Sequence, residues 1–197
     1  MEGSQQKPWF RIRQGRSEDA EKIAALSNLA YLPDAVHFKH GSDRTNQKEV
    51  EQLFRLAESY FLVAELDKDV YGSSEEEGKL VGSIHYCHRE EGVYFGMLSV
   101  HPQHQRKGLA AALIHRVTEH ARAAGKAYLE IHVLNIVNKE TGEDMRFSDR
   151  CGIWTDLSDY YRRIGFEEVA GRERIPWVED CPVRDYRAEF VVMRKAL

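Results

Sequence analysis

The chain has 197 residues, 42% of them hydrophobic and 30% charged, which supplies one sizeable core and too little length for two comfortable domains. Its formal net charge is −4, with both signs spread along the sequence, so the overall field offers little to a polyanion and nucleic acid is not an expected partner. No stretch approaches the roughly 18 uncharged residues of a membrane span, and residues 1–7 are polar, so a soluble cytoplasmic protein without a membrane partner is expected.

Residues 10–13 suit a short strand. Ser17 can cap a helix whose Ile23, Leu26 and Ala30 recur at helical spacing. Thr45 can cap a second helix, with Val50, Leu53, Phe54 and Ala57 on one stripe. Residues 60–65, 80–86 and 93–100 are β-rich and follow one another as three antiparallel strands; the first two are separated by an acidic loop, Glu75 to Glu77, that reads as a solvated hairpin connection. Helical spacing returns over 108–124, where Leu109, Leu113, Val117 and Ala121 lie four apart and Gly125 stands where a helix stops. Residues 128–134 form the next predicted strand. Residues 135–154 lack periodicity and read as an excursion from the sheet. A short helix beginning near Asp156 or Ser158 should end at Ile164, with Gly165 at its stop and Phe166 making the closing apolar contact. Strands over 167–170 and 187–194 complete an α/β or α+β domain with no internal repeat.

Cys87, Cys151 and Cys181 are odd in number and at no metal-like spacing, as expected of small hydrophobic side chains in a reducing compartment. Three histidine pairs, His37 with His40, His85 with His88 and His101 with His104, have the spacing His-x-x-His. Residues three apart on a strand face opposite sides, which argues against chelation by His85 and His88, and His101 and His104 flank a proline turn. No metal is expected.

The chemistry concentrates at the passage from the third of those strands into the following helix. Leu98, Ser99, Val100, His101 and Pro102 lead into Gln105, Arg106, Lys107, Gly108, Leu109 and Ala110. A basic, glycine-containing turn at a helix start directs unpaired backbone N–H groups, the positive helix end and two cationic side chains toward one point, which suits a pyrophosphate. A charged turn that is merely solvated is the alternative. Neither Gly-x-x-x-x-Gly-Lys-Ser/Thr nor Gly-x-Gly-x-x-Gly occurs anywhere, so a P-loop and a Rossmann fingerprint are both excluded.

The run Gln105-x-x-Gly108-x-Ala110 resembles the Gln/Arg-x-x-Gly-x-Gly/Ala signature of the GCN5-related N-acetyltransferases (GNAT). Leu129-Glu130-Ile131 and Tyr161-Arg162-Arg163-Ile164-Gly165-Phe166 add to the likeness. The resemblance implies a single-domain GNAT fold over residues 1–197, with a mixed, mostly antiparallel sheet splayed after its fourth strand, helices on both faces and an insertion at about 135–154. It also implies acetyl-CoA as co-substrate, its pyrophosphate on the amides of Gln105, Arg106, Lys107, Gly108, Leu109 and Ala110, and its pantetheine arm along Leu98, Ser99 and Val100.

Acetyl transfer to an amine needs a base, because the acceptor is protonated at neutral pH, and gains from an acid that meets the departing thiolate. A backbone N–H near Val100 suits the negative oxygen that forms on the carbonyl. By the resemblance, Tyr161 is the acid, with Tyr160 its rival, and also lies against the coenzyme; Glu130 is the base. Either could instead be structural, Tyr161 by packing and Glu130 by facing solvent; water, which many members of that family use, and His85, His101 and His132 are the alternative proton carriers. The insertion exceeds the few-residue connection of typical members and could shift the register behind Tyr161. Its acidic residues, with those of 177–185, favour a cationic acceptor, either a small amine or a protein amino group. A non-catalytic acyl-CoA-binding module is the competing function; the oligomeric state is open.

Overall fold

The computed structural model describes residues 9–35, 43–67, 78–138, 140–141, 157–174 and 186–197. In chain order these form β1 (Phe10–Gln14), α1 (Ala20–Ala35), α2 (Gln47–Arg55), β2 (Ser59–Leu66), β3 (Leu80–His88), β4 (Gly92–Val100), α3 (Leu109–Ala123), β5 (Tyr128–Asn138), α4 (Leu157–Arg163), β6 (Glu167–Arg174) and β7 (Tyr186–Ala196). Seven strands make a mixed sheet in the order β1-β2-β3-β4-β5-β7-β6. The pairs β1/β2, β2/β3, β5/β7 and β6/β7 are antiparallel, and β4/β5 is parallel.

Two compact units divide the chain, one of residues 1–32, 43–87 and 97–119, the other of 33–42, 88–96 and 120–197. In the first, Phe61 and Val63 of β2 pack with Ala20, Ile23 and Ala24 of α1 and Val50 of α2. Side chains alternate along a strand, so Leu62 and Ala64 face the other way. Ala64 pairs with Gly82 of β3, and a Cβ on Gly82 would meet Leu109 Cδ2 of α3 at 2.9 Å. Hence α1 and α2 cover one face of β2 and β3, and α3 covers the opposite face. Both faces of β2 are buried, which is why it reads as a continuous apolar run rather than an alternating one.

In the second unit β5 pairs with β7 over its whole length, from Tyr128↔Ala196 to Asn138↔Tyr186. By contrast its ladder with β4 has three rungs, the last being Tyr94↔Glu130. Three residues later in β4, Met97 has a φ of +47°, a left-handed conformation that interrupts regular strand geometry.

Several local expectations need correction. Ser17 does not cap α1; a 3-10 turn, Ser17–Asp19, precedes it, and the Asp19 carboxylate accepts from the Arg16 N–H at 2.8 Å. The α2 cap is Asn46, whose side chain accepts from the Glu49 N–H, whereas the Thr45 hydroxyl donates to the Glu49 carboxylate at 2.9 Å. Ala57 lies beyond α2. β5 runs on to Asn138 because β7 pairs with it that far, so the first residues of the expected excursion belong to the sheet. Most of the rest of 135–154, the loop Glu75 to Glu77, His37, His40, Cys151, Cys181 and all of 177–185 lie outside the described residues. Among the described residues, no helix is long and apolar enough to cross a membrane.

Candidate functional site

In the first unit, the end of β4 is anchored by the His101 N–H donating to the Val81 carbonyl at 2.9 Å. A 3-10 turn, Pro102–His104, follows, with the His104 ring stacked on Trp9 at 5.2 Å between centroids. The Gln105 side chain then turns back, and its Nε2 donates to the Val100 carbonyl at 3.2 Å. Gln105 thus closes the turn against the strand it left.

Arg106 and Gly108 both adopt left-handed backbone, with φ of +63° and +85°. Left-handed residues in such a turn can bring successive N–H groups to one side, a concavity suited to anions. Gln105, Arg106, Lys107 and Gly108 are exposed, and nothing lies within 4 Å of where a Gly108 Cβ would be. The Ala112 N–H bonds to the Gly108 carbonyl at 3.0 Å. The N–H groups of Leu109, Ala110 and Ala111 precede that bond and have no carbonyl within α3 to take them. Leu109 is buried against Gly82 and Ala110 is half-buried, so the helix start is fixed while its turn is open. Main-chain donors, the positive helix end and the Arg106 and Lys107 charges fit a diphosphate.

Upstream, Leu98 is half-buried and its carbonyl accepts from the Tyr31 hydroxyl at 3.3 Å. Ser99 is fully buried, with its hydroxyl donating to Ser27 Oγ of α1 at 3.1 Å. Its side chain therefore ties β4 to α1. Val100 is 9% exposed.

The second unit holds the two residues expected to move protons. Tyr161 on α4 is buried, in a ring cluster with Phe95 at 6.1 Å, Phe166 at 5.6 Å and Tyr160 at 5.2 Å. The Phe166 N–H donates to the Tyr161 carbonyl and the Gly165 N–H to that of Arg162, both at 3.0 Å, with Gly165 at φ +93°. This is the Schellman stop expected from the sequence, and it sets how far Tyr161 lies from the end of α4. Tyr160 is half-buried, and burial pushes its hydroxyl above the usual range.

Glu130 is 2% exposed. Its Oε1 accepts from Arg89 Nη1 and from His132 Nε2 at 3.1 Å, and its Oε2 accepts from Arg194 Nε at 2.7 Å. Burial alone would raise its pKa, but the hydrogen bonds from Arg194 and His132 and the charges of Arg89 and Arg194 outweigh that and hold the carboxyl below its ordinary range. Arg194 also lies over the Tyr128 ring at 4.3 Å and Arg89 over that of Tyr94 at 4.8 Å, so each guanidinium is gripped on two sides. Glu130 is an ionised, fully engaged carboxylate, neither facing solvent nor isolated.

Sequence reasoning missed Arg89 and Arg194 as partners. Arg194 becomes a neighbour of Glu130 through the register Glu130↔Arg194, and Arg89 by lying over the ring of Tyr94, the β4 partner of Glu130, and no local motif carries either pairing. His132 was recognised singly; its bond to Glu130 follows from the two being two apart on one strand face. Of the other candidate histidines, His85 is buried against the Ser59 hydroxyl at 2.9 Å, and His101 Nδ1 accepts from the Gln103 N–H. Among the described residues no group of three or more His, Cys, Asp or Glu side chains is placed to hold a metal.

The sequence profile of the Acetyltransferase (GNAT) family matches residues 29–141, and the chain belongs to that family. Similar solved structures include the ribosomal-protein-S18-alanine N-acetyltransferase from Escherichia coli, with TM-score 0.62 and 16% identity over 95% of this chain and 93% of that one. An aminoglycoside 6'-N-acetyltransferase complexed with coenzyme A has TM-score 0.59 and 15% identity over 94% and 96%. The PaiA N-acetyltransferase from Thermoplasma acidophilum in complex with coenzyme A has TM-score 0.59 and 13% identity over 95% and 99%. No curated protein sequence matches the chain significantly. At these identities the structures establish a shared fold: a mixed α/β architecture on a mostly antiparallel seven-stranded sheet.

Proposed function

We propose that this chain is an N-acetyltransferase that moves the acetyl group of acetyl-CoA to a primary amine. The observation that carries the reading is the exposed turn 105–108, left-handed at Arg106 and Gly108 and open above Gly108, at the start of α3. Family membership and the coenzyme A complexes of similar folds support the donor. Bound acetyl-CoA would supply an acetyl carbonyl activated by a thiolate leaving group.

The amides from Gln105 to Ala110 hold the diphosphate, and Arg106 and Lys107 add charge. Leu98 and Val100 offer main-chain groups to the pantetheine arm, and the N–H near Val100 meets the negative oxygen that develops on the carbonyl. Tyr161 donates a proton to the departing sulfur. Glu130 is the fixed anion on which the acceptance of the amine proton depends. The acceptor is a small amine or a peptide amino group; the names of similar folds include both a ribosomal protein and an aminoglycoside.

Incubation with acetyl-CoA and a panel of spermidine, phenethylamine and a peptide beginning with alanine, following free thiol, tests the reading. Thiol release that requires an amine is expected. Coenzyme binding without release would favour the non-catalytic acyl-CoA-binding module. Tyr161→Phe should lower kcat by about 10²-fold with coenzyme affinity unchanged; wild-type turnover in that variant would move the acid elsewhere.

A further inference from the structure

We propose that His132 takes the proton from the acceptor amine, and that Glu130 is the positioning residue that fixes the imidazole tautomer. This deepens the acetyl-transfer reading and rests on it. Glu130 is a poor proton acceptor on geometry alone, because its two oxygens already serve three donors, Arg89, Arg194 and His132. Protonating it would cost the charged hydrogen bonds it accepts from two guanidiniums. His132 is the next residue on the same face of β5, the first past the last rung with β4 at Tyr94↔Glu130. Its side chain is 18% exposed against 2% for Glu130, so of the two it is the one a substrate can reach.

A carboxylate can only accept. The bond from Glu130 Oε1 to His132 Nε2 at 3.1 Å therefore places the imidazole proton on Nε2 and the lone pair on Nδ1. The ring plane is held by the edge of Tyr94 at 5.1 Å and by Phe190 at 6.0 Å. The charged and titratable groups near it include Glu130 on its own strand, Tyr94 of β4, Arg89 beside the start of β4 and Arg194 of β7; its register partner on β7 is Val192. When the imidazole gains a proton, the new cation lies against an anion already in place, as in acid–base pairs where a carboxylate orients a histidine.

In the step itself, the acceptor first loses its ammonium proton to water. As the amine nitrogen bonds to the carbonyl carbon and the carbon–sulfur bond breaks, the nitrogen's surplus proton passes to His132 Nδ1. The Tyr161 hydroxyl proton goes to the sulfur. Water then carries the proton from His132 and restores Tyr161, so the enzyme returns to its starting state.

The test uses the full chain with acetyl-CoA and whichever of spermidine, phenethylamine or the alanine peptide gives turnover. His132→Ala should lower kcat by about 10²-fold or more while KM for acetyl-CoA stays within about twofold, and added imidazole should restore part of the rate. Glu130→Gln should lower kcat without moving that KM. In the unaltered protein, nitrogen-15 NMR should show the His132 proton on Nε2, and Glu130→Gln should erode that preference. His132→Ala turning over like wild type, or a wild-type proton on Nδ1, overturns the proposal alone; the NMR result stands even if the variant fails to fold. A wild-type protein that acetylates none of the three amines overturns the acetyl-transfer reading, and this proposal with it.

Discussion

A φ of +85° at Gly108 costs glycine little and costs a residue with a Cβ roughly 1–2 kcal/mol. The space above it is open, so a larger side chain there meets no protein atom and stands where the proposed coenzyme diphosphate would lie. Gly108→Val should weaken acetyl-CoA binding because the added side chain takes the ligand's space, while the backbone cost of roughly 1–2 kcal/mol should lower the melting temperature by a few degrees. Calorimetric titration and a thermal melt on the same sample check both. At this scale the sequence was most legible. The Gln105, Gly108 and Ala110 spacing marked the turn that opens α3, left-handed at Gly108, and main-chain conformation is what glycine placement constrains most directly. The side-chain partners of Glu130 were not legible, since Arg89 and Arg194 lie 41 and 64 positions away from it.

Among the elements, the three-rung ladder of β4 with β5 depends on a missing side chain. A Cβ at Gly92 would lie 2.3 Å from Tyr128 Cε2 and 2.6 Å from its Cδ2, and Gly92 is the residue paired with Tyr128. The tyrosine ring also carries Arg194 on its face, so it has little freedom to yield. Gly92→Ala should therefore destabilise the protein by about 1–3 kcal/mol, as overpacking does, seen as a lower urea midpoint; an unchanged midpoint would mean that the ring moves aside. Helix stops were readable because they are local: Gly125 and Gly165 have φ of +66° and +93°, where the sequence placed them. Helix starts were less readable. Arg16, its N–H held by the Asp19 carboxylate, and Asn46 stand at the starts where Ser17 and Thr45 were expected, because neighbouring polar side chains compete for the same N–H groups and tertiary contacts choose between them. The length of β5 was underestimated because it depends on β7, a distant partner.

Across the whole molecule, acid should unfold the protein in two stages. His85 is buried and its pKa is pushed down to about 4 from 6.5 by that burial. A depressed folded pKa means that the unfolded chain takes up the proton first, so the stability His85 contributes is whole above pH 6.5 and is lost as pH falls toward 4, on the order of 3 kcal/mol. Asp19 and Glu65 are held below their ordinary range; hydrogen bonding from Arg13 is the largest influence on Asp19, whereas for Glu65 the bonds from Arg13 and Arg11 overcome an opposing effect of burial. Together with Glu130 they contribute stability that is present above the ordinary carboxylate range and lost beneath it. His85→Gln should flatten urea midpoints between pH 6.5 and 4.5 and leave the steeper fall at lower pH in place.

The linear order of residues was enough to specify the element types, the turn that opens α3 and the family, because helical and strand periodicities and glycine conformations are properties of short segments. Which strands become neighbours is a property of the closed chain: the order β4-β5-β7, which surrounds Glu130 with Arg89 and Arg194, joins segments far apart in sequence. Burial and ion pairing then set the state of that carboxylate, and they exist only once the sheet has formed.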